Sequence, residues 1–356
     1  YKMATRVLGN VVILNVAIGL LFAVVALAFL DPILNFFGAS PDTIGYARDY
    51  MVIILLGNII THCYFGLNNV LRASGNPRFA MGLTIFTVTL NTILDPLFIF
   101  VFNFGVEGAA IATVLAQAAA LVFVVRFFCQ KKNFLHFTRE SFHFEWRIAK
   151  ESLSIGVSPF LMNSAACLVT IAINKQLQKY GGDYAIGAYG IVNRIAFLFL
   201  MVNMGFNQGM QPIAGYNYGA RLYSRMKDVL KRTIILATAV TTTAFLVGVF
   251  CPRIAVGLFT SDSELLDLSA HCLQIGLLAF PMVGFQIVVS NFFQCIGMVR
   301  KSILLSLSRQ IICLIPLVYI LPTWFGIEGV WYSFPISDFL ATLLALGLLA
   351  GWLKKI

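Results

Sequence analysis

Apolar residues fall into ten long runs, at about 9–30, 50–71, 80–102, 106–128, 153–178, 184–212, 230–250, 268–296, 303–322 and 327–352. Crossing a hydrocarbon core takes about 20 apolar residues in a helix, so each run predicts a span. Short polar segments containing Lys, Arg, Gly or Pro separate them. The spans are nearly continuous and leave no soluble catalytic domain. None reads as a cleavable signal peptide, which is shorter and ends in a small-residue cleavage site. The pattern predicts an all-α polytopic membrane protein of ten helices.

The second half of the pattern repeats the first. Asn69, Gly75 and Arg78 reappear as Asn291, Gly297 and Arg300, and Tyr1 and Phe37 reappear as Tyr223 and Phe259, a shift of 222 residues. One deletion later, Gly105-Val106-Glu107-Gly108 reappears as Gly326-Ile327-Glu328-Gly329. The last six spans form one complete half and the first four match its last four. The sequence therefore reads as two like-oriented six-helix lobes, with the first two helices of the first lobe lying before Tyr1. The boundaries expected are a first lobe over 1–128, a linker over 129–150 and a second lobe over 151–356. Two like-oriented halves enclosing a site between them are an architecture of secondary transporters.

Composition sharpens this. The chain is 59% hydrophobic and 11% charged, about half the charge of a soluble domain of this length; its mean hydropathy is +0.87. The net charge of +10 could point to nucleic acid, but its distribution does not. If the chain starts inside, the inner segments carry nineteen of the Lys and Arg residues and the outer ones only Arg48, Lys175, Lys179 and Arg253. Arg194 and Arg309 are left within helices. This is the positive-inside pattern. It places the chain in the cytoplasmic (inner) membrane as a multi-pass protein with both ends cytoplasmic, in contact with membrane lipid and not nucleic acid. The seven Cys contain no C-x-x-C and mostly lie in apolar runs, where they read as packing residues. None of the four His pairs with another at a metal-ligand spacing.

The segment 129–150 is basic and aromatic. It reads either as an amphipathic helix lying on the cytoplasmic surface, anchored by Phe and Trp, or as a plain linker. Pro96, Pro159, Pro212, Pro281, Pro316 and Pro335 sit in or beside spans, and each removes a backbone donor.

Chemistry inside the spans concentrates in the third run. Asn91 and Asp95 are four residues apart, so they share one helix face. An ionised carboxylate halfway along a span is costly unless it meets a cation, a proton or water. Pro96 withholds the donor that the Thr92 carbonyl would use in a regular helix. A hard-cation or exchangeable-proton site fits these groups, and so does a structural Asp capping a broken helix. The repeat supplies an internal control. The positions matching Asn91 and Asp95 in the second half are Cys313 and Leu317, so the polar site belongs to the first lobe alone. Thr113, in the next helix, is a further candidate oxygen ligand, and its match falls near Phe334 and Pro335.

Arg194 would need a partner if buried, and Asp338 is the expected one, as a structural clamp. Gln208 and Gln211, around Pro212, either line a cavity or end the helix. Glu107 and Glu328 open matched helices, where a negative charge suits the helix N-terminus.

The strings "LRASGNP" at 71–77, "N-x-x-x-D-P" at 91–96, "GVEGAAIATVLAQ" at 105–117 and "QGMQPIAGYNYGA" at 208–220 resemble signatures of the multidrug and toxic compound extrusion (MATE) family, in order and over the whole chain. The resemblance implies twelve helices in two lobes that rock, and export of lipophilic organic cations and drugs against an inward Na⁺ or H⁺ gradient. It is nearest to the DinF-like branch. There the cation site uses an Asp of the first helix, an Asn and an Asp of the fifth and a Thr of the sixth. Asn91, Asp95 and Thr113 match the last three; the first would lie before Tyr1. Another branch couples through second-lobe carboxylates, but Asn163 stands near one of those places and the run 268–296 holds no acid.

The expected function is secondary active export by a monomer, with no cofactor beyond the coupling ion, and with Na⁺ or H⁺ held by Asp95, Asn91 and Thr113. A lipid-linked oligosaccharide flippase of related fold is the alternative; it should line its cavity with cations, and only Arg194 and Arg309 are internal. An intramembrane transferase would need clustered carboxylates or a histidine constellation, which the sequence lacks.

Overall fold

The computed structural model describes residues 2–36 and 44–354. Tyr1, Phe37 and Lys355 lie outside them. Among the described residues all regular structure is helical. The helices of the first part are α1 (Lys2–Ala28), α2 (Leu30–Phe36), α3 (Ile44–Leu56), α4 (Asn58–Ala73), α5 (Pro77–Pro96) and α6 (Gly105–Cys129). Then follow α7 (Trp146–Gly219), α8 (Tyr223–Phe250), α9 (Pro252–Gly257), α10 (Ser263–Gly276), α11 (Phe280–Cys295) and α12 (Val299–Leu307). The chain ends with α13 (Ile315–Ile320), α14 (Pro322–Phe325) and α15 (Ile327–Leu353).

Seven helical stretches are each long and apolar enough to cross a membrane. One of them, α7, is two helices meeting at Gly182, whose φ of +64° breaks the helical path. Two further crossings are bent pairs. α3 meets α4 at 50° around Gly57, and α10 meets α11 at 55° across residues 277–279. Counted this way, the described residues hold ten crossings, in step with the ten apolar runs. Large apolar side chains such as Phe100, Leu21 and Leu258 stand exposed on their outer faces, which suits lipid as the solvent.

The chain divides into two compact units, 1–152 and 153–356, with the boundary inside α7. In the first unit, α1 packs on α4, while α3, α4 and α5 all pack on α6. Small side chains make this possible: Ala112, Ala116 and Ala120 form a fully buried row at four-residue spacing on α6, continued by Val124 and Phe128. Such rows let helices approach closely where lipid offers no hydrophobic drive for association. The core around them holds Leu8, Tyr64, Leu67, Leu71 and Leu83.

Residues 130–145 do not form the surface helix that was one reading of this segment. They run as turns with a single 3₁₀ turn at Arg139–Phe142, closed by reciprocal hydrogen bonds between Thr138 and Ser141. The reason lies on α1. Asn10, fully buried, donates to the His143 carbonyl at 3.1 Å and accepts from the Glu145 amide at 3.0 Å, and Arg6 pairs with Glu145. One asparagine on α1 thus takes the backbone groups that a helix would have used internally.

In the second unit, α8 packs on α11, and α11 on α12 and α15. Trp331 is buried among Leu273, Val283 and Val318. Trp352 is met edge-on by Phe292 and Phe293, with ring centroids at 5.3 and 5.9 Å. Hydroxyl pairs cross between helices, Ser158 with Ser302 and Ser290 with Ser306, each at 2.8 Å. Polar contacts of this kind hold helices together in lipid.

The structure explains why glycines anchor the repeat. Gly105 and Gly326 take φ of +54° and +59° to turn the chain into α6 and α15, which a side chain would disfavour. Three residues later, a Cβ on Gly108 would lie 2.8 Å from the Phe98 carbonyl oxygen, and one on Gly329 would lie 2.5 Å from that of Leu321. Each helix starts pressed against the backbone of the helix before it. We predict that Gly329→Ala and Gly108→Ala each cost roughly 1–3 kcal/mol through overpacking. Gly347→Ala, with nothing within 4 Å, should leave the unfolding midpoint unchanged or slightly raised. Equal melting of all three variants in detergent would show that close approach is not what requires glycine there.

Candidate cation site

α5 and α6 form a hairpin within the first unit, joined by a turn at residues 102–104. Pro96 cannot donate a backbone hydrogen bond, and directly after it the helix widens into a π turn, Leu97–Val101. The Phe102 amide donates to the Leu97 carbonyl at 3.0 Å, and the Phe104 amide to the Phe98 carbonyl at 3.1 Å. The close approach of Gly108 to Phe98 clamps this turn against α6. Asp95 therefore stands at the end of regular α-helix, next to the clamped turn. π turns recur at functional sites.

Asn91 joins the three predicted oxygen-bearing side chains. Its Nδ2 donates to Asp95 Oδ1 at 3.0 Å and lies 3.4 Å from Thr113 Oγ1. The Thr113 hydroxyl donates to the Ala109 carbonyl at 2.9 Å, which leaves its lone pairs toward Asn91. All three residues are half-buried. Among the described residues, no Lys, Arg or His forms an ion pair with Asp95. A carboxylate offers about four acceptor positions, so one amide donor leaves it capacity for a cation or a proton.

The remaining polar groups separate from this site. Asp338 does not pair with Arg194, as the sequence reading expected. Its partner is Arg309, with Nε at 2.6 Å from Oδ1, and Arg194 is exposed. Arg309 lies in a second π turn, Ser308–Leu314, which packs against α15. Consecutive antiparallel helices are spatial neighbours more often than distant ones, and that rule favours Arg309 over Arg194. Gln211 donates to Asn291 on α11 at 3.2 Å, which ties two helices together; Gln208 is exposed. Glu107 and Glu328 lie in the first turns of α6 and α15, and Glu328 also meets His271 of α10 at 3.0 Å.

Sequence reasoning passed over Asn203 and Asn207. Both are buried on the second limb of α7, with Asn207 Nδ2 donating to Asn203 Oδ1 at 3.0 Å. The four-residue spacing 203, 207, 211 was a usable signal, because it puts three amides on one face.

Comparison with known proteins identifies the family and the fold. The MatE family model matches residues 1–97 and 159–320. The multidrug export protein MepA of Staphylococcus haemolyticus (strain JCSC1435) is 28% identical over 332 residues, which cover 93% of this chain and 73% of that protein. MepA of Staphylococcus aureus (strain bovine RF122 / ET3-1) is 29% identical over 333 residues, with the same shares. Among solved structures, the MATE multidrug transporter DinF-BH in complex with R6G is 37% identical, with a TM-score of 0.84, over 98% of this chain and 83% of that one. A MATE crystal structure in complex with MaL6 superposes with a TM-score of 0.90 at 23% identity, over 100% and 81%, which speaks for the fold.

Proposed function

This chain belongs to the MatE family, the multidrug and toxic compound extrusion transporters, and from that premise we propose that it exports lipophilic organic cations across the cytoplasmic membrane in exchange for Na⁺ or H⁺ taken up at Asp95, Asn91 and Thr113. The observation that carries this reading is the joining of those three side chains by Asn91, at 3.0 and 3.4 Å, with no cationic partner for Asp95 among the described residues. A hard cation takes oxygen ligands. Asp95 and Thr113 offer two, and rotation of the Asn91 amide offers a third. A proton would need only the carboxylate.

Occupancy by either ion neutralises Asp95 and reorganises the contacts that join α5 to α6. That change is what biases the transporter toward release of substrate outward. The direction of export is supported by relatives named as multidrug export proteins, and the substrate class by a related structure bound to R6G. The excess of Lys and Arg in alternate connections supports both ends being cytoplasmic. A lipid-linked oligosaccharide flippase is the alternative reading, and the relatives favour export. On this reading each chain carries its own ion site, and the transporting unit is a monomer.

The test is transport in proteoliposomes loaded with a fluorescent lipophilic cation. An imposed Na⁺ or H⁺ gradient should drive the dye uphill, against its own concentration difference, and collapse of that gradient by an ionophore should stop it. Dye that only equilibrates under both gradients would rule out antiport.

A further inference from the structure

The Arg309–Asp338 pair lies in the second unit on the elements that match α5 and α6. Each hairpin has one acid besides the matched glutamates at its helix openings: Asp95 in the first, Asp338 in the second. At the 222-residue shift, Arg309 matches Thr87, one helical turn before Asn91. At the 221-residue shift that holds after the deletion, Asp338 matches Gln117, one turn beyond Thr113. Because the two arms run in opposite directions, both displacements point the same way, away from the hairpin's connecting turn. The second unit thus also carries one carboxylate across its matching pair of arms, about one turn, roughly 5 Å, farther from the connecting turn than Asn91 and Thr113, and on the second arm where the first unit has its acid on the first.

The two sites differ in their cation. Asp338 is 4% exposed and Arg309 21%, with Nε to Oδ1 at 2.6 Å. The matching hairpin of the first unit packs without such a pair. At the matching places in the first unit, neutral groups serve: Thr87 donates to the Tyr64 hydroxyl at 3.1 Å, and Thr61 donates to Gln117. A buried ion pair is weak evidence for stability, since desolvation offsets its attraction. Its presence here calls for another role. We propose that Arg309 is a resident cation. In the second unit it holds permanently the place beside a buried carboxylate that an exchangeable ion takes in the first, and so confines ion coupling to the single site at Asp95. This rests on the reading of Asp95 given above.

Arg309→Gln tests it. Equilibrium binding of ²²Na⁺, and proton uptake followed by a pH dye in weak buffer, are compared for purified wild type, Arg309→Gln, Asp95→Asn and the double variants Arg309→Gln/Asp95→Asn and Arg309→Gln/Asp338→Asn. Arg309→Gln should take up one more cation per chain than wild type, so uptake doubles. The extra cation should survive addition of Asp95→Asn and vanish on addition of Asp338→Asn. Uptake by folded Arg309→Gln equal to that of wild type would overturn the proposal. If Arg309→Gln does not fold, the variant Arg309→Gln/Asp338→Asn decides: no charge remains at the place of the pair, and it should bind as many cations as wild type. Fewer would mean that Asp338 itself takes part in ion binding, against the proposal. The first-lobe reading fails separately, by wild type and Asp95→Asn binding alike, while the difference between Arg309→Gln and wild type still reports on Arg309.

Discussion

Asp95→Asn should abolish gradient-driven efflux while leaving the protein folded and present in the membrane. The amide is nearly isosteric and keeps an acceptor for the Asn91 Nδ2, which now lies 3.0 Å from the carboxylate. What it lacks is the negative charge. Losing a charge-assisted ligand is worth about 1.5–3 kcal/mol, so ion affinity should fall by about ten- to a hundredfold, and exchange that depends on the ion should fall to background. Thr113→Val removes one hydroxyl and should produce a milder defect, relieved by a steeper ion gradient. Efflux of a lipophilic cation from cells expressing each variant, normalised to the amount of protein in the membrane, measures both. Wild-type efflux by Asp95→Asn would end the coupling role.

Arg309→Ala should be among the most destabilising single substitutions in the second unit. It leaves Asp338, 4% exposed, without its partner, and removing one member of a buried pair costs about 3–5 kcal/mol. Replacing both, as Arg309→Met with Asp338→Leu, should recover most of that loss, because no uncompensated charge remains. Thermal unfolding in detergent reads the difference. If the single and the paired replacement lose the same stability, the cost is one of shape and not of charge. The resident-cation proposal adds a signature that a simple clamp lacks: the stability of Arg309→Gln should rise with added Na⁺ or with acid, by mass action on the vacated carboxylate.

The spans were legible because lipid imposes a simple rule. Backbone polar groups must be satisfied within the segment, so a long apolar run becomes a helix whatever its detailed sequence. The runs at 106–128 and 327–352 meet helices at Gly105–Cys129 and Ile327–Leu353. Hydropathy has no term for direction, and so the runs at 50–71 and 268–296 gave no sign of bends of 50° and 55°. The conformation of 130–145 was equally hidden, because it depends on Asn10, which lies more than a hundred residues earlier.

The candidate site was legible for a different reason. Asn91 and Asp95 are neighbours by helix periodicity alone, and the repeat marked them as belonging to one half. That Thr113 would reach Asn91 needed α6 to pack on α5, which the glycines at 105 and 108 arrange. The partner of Asp338 was misread because the expectation started from Arg194 as a buried cation, whereas Arg194 is exposed and Arg309, one helix before Asp338 in the chain, makes the pair.

One consequence concerns the bend between α3 and α4. A Cβ at Gly57 would lie 2.4 Å from a methyl of Val114, the residue next to Thr113 on α6. The elbow and the ion site therefore lean on adjacent residues of the same turn of helix, about 100° apart around its axis. Any straightening of that elbow pushes on the strut that carries the third ligand, so the joint and the ion share one mechanical support, and neither can shift without the other registering it.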